Sequence, residues 1–174
     1  MLQDVPAQIE MAKTEVLPKV CPVAIGEGHL DFKAMDFFSE SPVKDCDVYF
    51  VTEKYLHNWT DEECKTILTS LVNAMSSNSH LLINDYIIQH VNRDRNTSES
   101  ALGLRLAPEP LFPHYGAGRM TRYSTDLDMT FTYNSQECTL EHFIELGQGV
   151  GLNEGAPTLG PSEGYANNMI RAYV

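Results

Sequence analysis

Thr60-Asp61-Glu62-Glu63-Cys64-Lys65-Thr66-Ile67-Leu68-Thr69-Ser70-Leu71-Val72-Asn73-Ala74-Met75 runs through Ser76-Ser77-Asn78-Ser79 and His80 into Leu81-Leu82-Ile83-Asn84-Asp85-Tyr86-Ile87-Ile88. Thr60 and Glu63 have the spacing of a capping box, in which an N-cap hydroxyl residue and a carboxylate three positions on satisfy the first free amides of a helix. From Cys64, apolar residues recur 3, 4, 7, 8 and 11 positions later, at Ile67, Leu68, Leu71, Val72 and Met75, which predicts one apolar helix face. The breaker cluster then stops the helix, and the following apolar run ending in polar Asn84-Asp85 predicts a buried strand.

Upstream, Cys46 to Val51 is a second short apolar run of the buried-strand kind, and His29 to Asp36 alternates, with Leu30, Phe32 and Ala34 set against Asp31, Lys33 and Met35. Asp4-Val5-Pro6 followed by Ile9 reads as a strand end passing into a short helix, with Pro6 tolerated in a first turn. The order strand, helix, strand, helix, strand predicts an α/β fold with parallel strands and right-handed crossovers. Ligands then gather beyond the C-terminal strand ends, which points to Asp4, Asp36, residues 52–59 and Asp85.

Downstream, Gln89 to Pro113 shows no sustained period and is expected to be a loop or partly helical excursion. A helix is expected over Arg119–Phe131, with Met120, Tyr123, Leu127 and Phe131 on one side, and another over Thr139–Val150. Residues 153–168 are rich in Gly, Pro, Ser and Asn, and Met169 to Val174 is expected to be a last short strand.

The 174 residues, 43% hydrophobic, suffice for one core and predict one domain. Acidic residues outnumber basic ones 24 to 12, and the net charge of −12 repels phosphate backbones and anionic lipid, so no nucleic-acid or membrane partner is expected. The N-terminus has no secretory pattern and no stretch approaches a membrane span, which makes the cytoplasm the expected location. Cys21, Cys46, Cys64 and Cys138 lack both CxxC pairing and metal spacing, so neither a disulfide framework nor a metal site is expected, and buried free thiols are.

Three stretches read together carry a resemblance: Leu2-Gln3-Asp4-Val5-Pro6 with Ile9-Glu10; Asp36-Phe37-Phe38 before Pro42-Val43-Lys44; and Asp47-Val48-Tyr49-Phe50 running to Leu56-His57-Asn58-Trp59-Thr60-Asp61-Glu62-Glu63-Cys64. They resemble the plant and fungal O-methyltransferases of the caffeate and flavonoid type, the fungal branch most of all. Leu81 to Ile87, Tyr123 to Tyr133 and Asn134-Ser135-Gln136-Glu137 with Thr139-Leu140-Glu141 extend the likeness to about 150 of the 174 residues. The resemblance implies a class I methyltransferase fold of the Rossmann-like kind, with a mostly parallel sheet and flanking helices. It implies that residues 1–174 are a partial catalytic domain, with an excursion over about 89–118 and an irregular tail over about 153–168.

By the same resemblance His57 is the catalytic base, and Asp85 and Glu137 match the acidic positions that flank and orient it. Asp4 matches the residue holding the ribose hydroxyls of S-adenosyl-L-methionine, Asp36 and Phe37 match the pair against the adenine, and Trp59 lies along the adenosine. The residue types suit these roles: a carboxylate accepts two hydroxyl donors, and an imidazole removes a proton near pH 7 when a carboxylate fixes its tautomer. Read singly they are ordinary, His57 a turn histidine, Asp85 a strand-end residue, Glu137 a helix start, Trp59 a core ring and Asp4 an N-cap.

Some residues depart from the family pattern. The family's N-terminal helical dimerisation region, and its first strand with an Asp/Glu-x-Gly-x-Gly loop, have no counterpart here. Gly26-Glu27-Gly28 precedes a strand and does not join a strand to a helix, so it is not that loop. S-adenosyl-L-methionine binding is therefore expected to be weakened or lost. Asn58 replaces the family Asp after the histidine, and Glu53 stands where many relatives carry Arg or Lys.

Three readings stay open. One is an O-methyltransferase, fragment, truncated member or half of a split enzyme, acting on a hydroxyl of a small aromatic or polyketide-type secondary metabolite. A second is a pseudo-methyltransferase that binds such a molecule, or reshapes it by dehydration or pericyclic rearrangement. The third is a non-catalytic interaction protein whose bare sheet edge pairs with its own copy or another methyltransferase chain.

Overall fold

The structure is a computed structural model that describes residues 1–52, 55–88, 108–111, 120–154, 158–159 and 168–173. Strand β1 (Leu2–Asp4) leads directly into helix α1 (Pro6–Met11), where Pro6 occupies the first turn. A π-helical stretch (Ala12–Val16) and two short helices, α2 (Leu17–Val20) and α3 (Pro22–Gly26), carry the chain across to β2 (Phe32–Ala34). Gly28, at φ 70°, adopts the left-handed conformation that closes a helix end, so the Gly26-Glu27-Gly28 stretch is a helix stop.

Strand β2 lies parallel to β1 with Leu2 opposite Phe32 and Asp4 opposite Ala34. The alternation expected there is only partly kept: Ala34 is exposed and Met35, placed on the outer side by the sequence, is 2% exposed. The Met35 amide bonds the Asp4 carbonyl at 2.9 Å, which carries the ladder one residue past Ala34, and the covered side there is the one that Met35 faces.

Strand β3 (Val48–Val51), a 3₁₀ turn (Leu56–Asn58), helix α4 (Asp61–Ala74) and β4 (His80–Asp85) form the centre. The Thr60 amide and hydroxyl both donate to Glu63 Oε2, at 2.9 and 2.8 Å, which starts α4 where the sequence places it. The Tyr49 hydroxyl lies 2.8 Å from both the Val43 and the Ala74 carbonyl oxygens and accepts from the Cys46 amide at 3.3 Å, tying the far end of α4 to the strand. Strands β3 and β4 are parallel, with Val48 opposite His80 and Val51 opposite Ile83. Tyr49 and Val51 face the core while Val48 and Phe50 are 50% and 52% exposed, so β3 is covered on one face and not on both as expected.

Helices α5 (Met120–Tyr133) and α6 (Leu140–Gly149) follow, then β5 (Asn153–Glu154), β6 (Thr158–Leu159) and β7 (Asn168–Tyr173). Strand β7 runs antiparallel beside β4, and the sheet order is β3-β4-β7-β5, with β6 also on β7. Two strand pairs are thus parallel and the C-terminal strands antiparallel, and the β1-β2 pair is a sheet of its own. The core joins Leu56, Cys64, Ile67 and Leu68 to Leu81, Ile83, Phe143 and Leu146. Helix α5 does not bury the face expected of it: Leu127 is 57% and Phe131 85% exposed.

Glu53, most of the 89–118 excursion and most of the 153–168 tail lie outside the described residues. Among the described residues, no helix is long and apolar enough to cross a membrane.

Candidate active site

The 3₁₀ turn Leu56–Asn58 links the C-terminal side of β3 to the cap of α4, and it buries His57 to 5% exposure. His57 Nδ1 is 2.7 Å from Glu137 Oε1, whose side chain is 2% exposed. The backbone around the pair is held from α5 and the turn after it. The Ser135 hydroxyl donates to the His57 carbonyl at 2.6 Å, and the Glu137 amide donates to Asp126 Oδ1 at 2.8 Å. Asn134, at φ 53°, takes the left-handed conformation asparagine tolerates and turns the chain from α5 toward Glu137.

Asp85 completes the group at the C-terminal end of β4, 1% exposed, with Oδ1 accepting from the Tyr86 amide at 2.8 Å. His57, Asp85 and Glu137 each offer an atom within 4.8 Å of the others. A buried imidazole near two buried carboxylates is suited to take up a proton, because the charge it gains is balanced in a low-dielectric site. The same three residues could also ligate a cation, a use the cysteine-based reading of the sequence did not consider.

Arg122 supplies positive charge beside this group. Its Nη1 donates to the Ile87 carbonyl at 3.1 Å and its guanidinium lies 5.1 Å from the Tyr86 ring centre. Burial lowers its pKa, and the nearby Tyr86 and Glu137 act in the opposite sense. Cys64 and Cys138 flank the site, and burial pushes Cys64 up to about 12, so it stays a thiol at neutral pH. Cys21 and Cys46 are half-buried free thiols, which makes the expectation of buried thiols correct for two of the four.

A second group forms at the ends of β1 and β2. Asp4 Oδ1 accepts from the Val5 amide at 2.7 Å, and Asp36 binds the Phe38 amide at 3.0 Å and the Ser39 hydroxyl at 2.7 Å. Those two bonds hold the Asp36 carboxyl below its ordinary range. The turn they build sends Phe37 against Tyr55, ring centres 5.3 Å apart, and Phe38 against Trp59 at 4.8 Å, both edge-on. Tyr55 and Trp59 are 6.5 Å apart. The Tyr55 hydroxyl and Trp59 Nε1 are buried without a hydrogen-bond partner.

All seven residues singled out in the sequence therefore fall into two groups, joined by the 55–59 segment. Sequence reasoning missed Asp126, Ser135, Arg122 and Tyr55 as members. Asp126 and Arg122 carry no motif and reach the site from helix α5. Tyr55 sits two residues before His57 and could have been found from that spacing alone.

The two parallel strand–helix–strand units, β1 to β2 and β3-α4-β4, make a partial Rossmann-like fold, and solved methyltransferase-fold structures match it. Mitomycin 7-O-methyltransferase MmcR matches with a TM-score of 0.68 at 21% identity, over 99% of this chain and 40% of that one. LepI, solved in complex with SAM, matches with a TM-score of 0.70 at 20% identity, over 99% of this chain and 35% of that one.

The chain belongs to the O-methyltransferase domain family, whose model matches residues 1–122. It is 43% identical over 131 residues to 3-O-methyltransferase 2 of Phanerochaete chrysosporium, an alignment covering 75% of this chain and 28% of that protein. The chain thus spans less than a third of the length of this relative.

Proposed function

We propose that this chain carries the nucleoside-binding residues and the general base of an S-adenosyl-L-methionine-dependent O-methyltransferase. Its acceptor would be a hydroxyl of a small aromatic or polyketide-type secondary metabolite. The observation that carries the reading is the buried His57–Glu137 pair at 2.7 Å with Asp85 beside it, in a chain of this family.

When bound, S-adenosyl-L-methionine supplies a methyl group on a positively charged sulfur, the electrophile for an oxygen nucleophile. The chain's residues suit its nucleoside end: Asp4 and Asp36 offer acceptors for hydroxyl and amine donors, Phe37 and Trp59 offer apolar ring surface, and two buried polar atoms lack partners. His57 accepts the acceptor hydroxyl's proton through Nε2. Glu137 holds Nδ1 and stabilises the imidazolium, and Asp85 adds a second buried carboxylate nearby. No glycine-rich turn joining a strand to a helix occurs among the described residues, and we expect the isolated chain to bind the cofactor more weakly than a full-length relative.

The bare face of edge strand β3, with Val48 and Phe50 exposed, favours a second reading. There the chain is a non-catalytic interaction protein that pairs with its own copy or another methyltransferase chain.

Calorimetric titration of the purified 174-residue chain with S-adenosyl-L-methionine and S-adenosylhomocysteine, with Asp4→Ala as control, tests the first reading. Saturable binding lost in Asp4→Ala supports it, and incubation with a phenol panel then reads methyl transfer. Absence of binding up to millimolar cofactor overturns it for this chain and leaves the second.

A further inference from the structure

Tyr55 belongs by sequence to the turn that carries His57, yet its ring packs into the other group. It meets Phe37 edge-on at 5.3 Å and Trp59 at 6.5 Å, on the side where Asp36 opens the Phe37–Phe38 turn. Its hydroxyl is buried without a hydrogen-bond partner, and so is Trp59 Nε1 in the same aromatic group. Buried tyrosine hydroxyls nearly always find a partner, because an unpaired one loses its water bonds for nothing in return. Packing alone would be served as well by phenylalanine, which carries no such cost.

The neighbouring carboxylates do not answer the need. Asp36 meets the Phe38 amide and the Ser39 hydroxyl with one bond on each oxygen and Asp4 meets the Val5 amide, so neither is bonded to this hydroxyl and each keeps acceptor sites for a ligand. Burial, then the charges of Asp4 and Asp36, raise the Tyr55 pKa, so the phenol keeps its proton at neutral pH. A phenol is both donor and acceptor, whereas an indole nitrogen only donates. Ribose hydroxyls and adenine nitrogens supply matching partners, and the two carboxylates that face such groups in the proposed site flank this hydroxyl.

We propose that Tyr55 is a specificity residue for the nucleoside, its hydroxyl making a direct hydrogen bond to the adenosine end of the cofactor. This rests on the S-adenosyl-L-methionine reading above.

The test is calorimetric titration of the full 174-residue chain and its Tyr55→Phe variant with adenosine and with S-adenosylhomocysteine, alongside thermal melts. Tyr133→Phe, on the exposed face of α5, is the control. The expected result is that Tyr55→Phe melts no lower than the parent and binds both ligands about tenfold more weakly, by a similar factor for each. Equal affinity in parent and variant overturns the assignment and leaves the cofactor reading standing. A lower melting temperature in Tyr55→Phe marks the hydroxyl as a structural contact and also overturns it. No binding by the parent chain overturns both.

Discussion

His57 and Glu137 stand 80 positions apart in the chain and 2.7 Å apart in the fold, and the closeness depends on groups with no chemistry of their own. Ser135 holds the backbone of one and Asp126 the backbone of the other. Glu137→Gln keeps the shape but removes the charge that favours the imidazolium. It should lower methyl transfer by roughly 10²–10⁴-fold with cofactor affinity unchanged, read by single-turnover assays. A rate equal to the parent's would remove Glu137 from that role. If His57, Asp85 and Glu137 act through protons, EDTA leaves the rate unaltered, and loss of activity restored by a divalent metal would reassign the trio to a cation. The thiols divide in the same way: Cys21 and Cys46 should react with Ellman's reagent in the native protein, and Cys64 and Cys138 only on unfolding, because burial keeps their thiols protonated. Asp85, His57 and Glu137 were legible as residue types from the resemblance, whereas Asp126 and Ser135 were not, since a backbone contact leaves no pattern in side-chain identity.

Helix α4 bears directly on the candidate site, because its N-cap, Thr60, lies three residues after His57. Thr60→Ala removes a capping hydroxyl and should cost about 1 kcal/mol, a fall of roughly 2–4 °C in melting temperature for a chain of this size. Glu63 is held below its ordinary range by the Thr60 amide and hydroxyl. Its folded pKa lies below the unfolded one, so its contribution is complete above the ordinary glutamate range, near pH 4.3, and is lost as pH falls through the depressed value. Denaturant melts of the parent and Glu63→Gln should therefore differ near pH 6 and converge in acid, and a constant difference would contradict the assignment. The capping box and the helical period made α4 readable, since both are local. Helix α5 was located by its period but its face was misjudged: Leu127 and Phe131 are exposed, because periodicity shows that a helix has an apolar side and not that anything covers it.

At the scale of the molecule the sheet is in two parts, and its parts should differ in stability. The β1-β2 pair has three residues per strand, while β4 is paired on both sides, by β3 and β7. Hydrogen exchange should show the Leu2 and Met35 amides, which close the β1-β2 pair, opening at lower free energy than the amides of Leu81 to Ile83. Equal protection would mean that both parts unfold as one unit. Since Asp4 and Asp36 sit on the weaker part, adenosine or S-adenosylhomocysteine should slow exchange there first.

Taken alone, the amino-acid sequence determined the α/β order, the start of α4 and the kinship with O-methyltransferases. Each of these rests on short-range regularities: period, cap, strand-end polarity and motif. Only the tertiary structure decided that β7 pairs antiparallel with β4, that β3 is bare on one face, and that Ser135 and Asp126 hold the backbones of His57 and Glu137. It alone placed Tyr55 against Phe37 and Trp59. Those outcomes depend on which distant surfaces bury one another, and burial between segments far apart in the chain leaves no periodic trace in either.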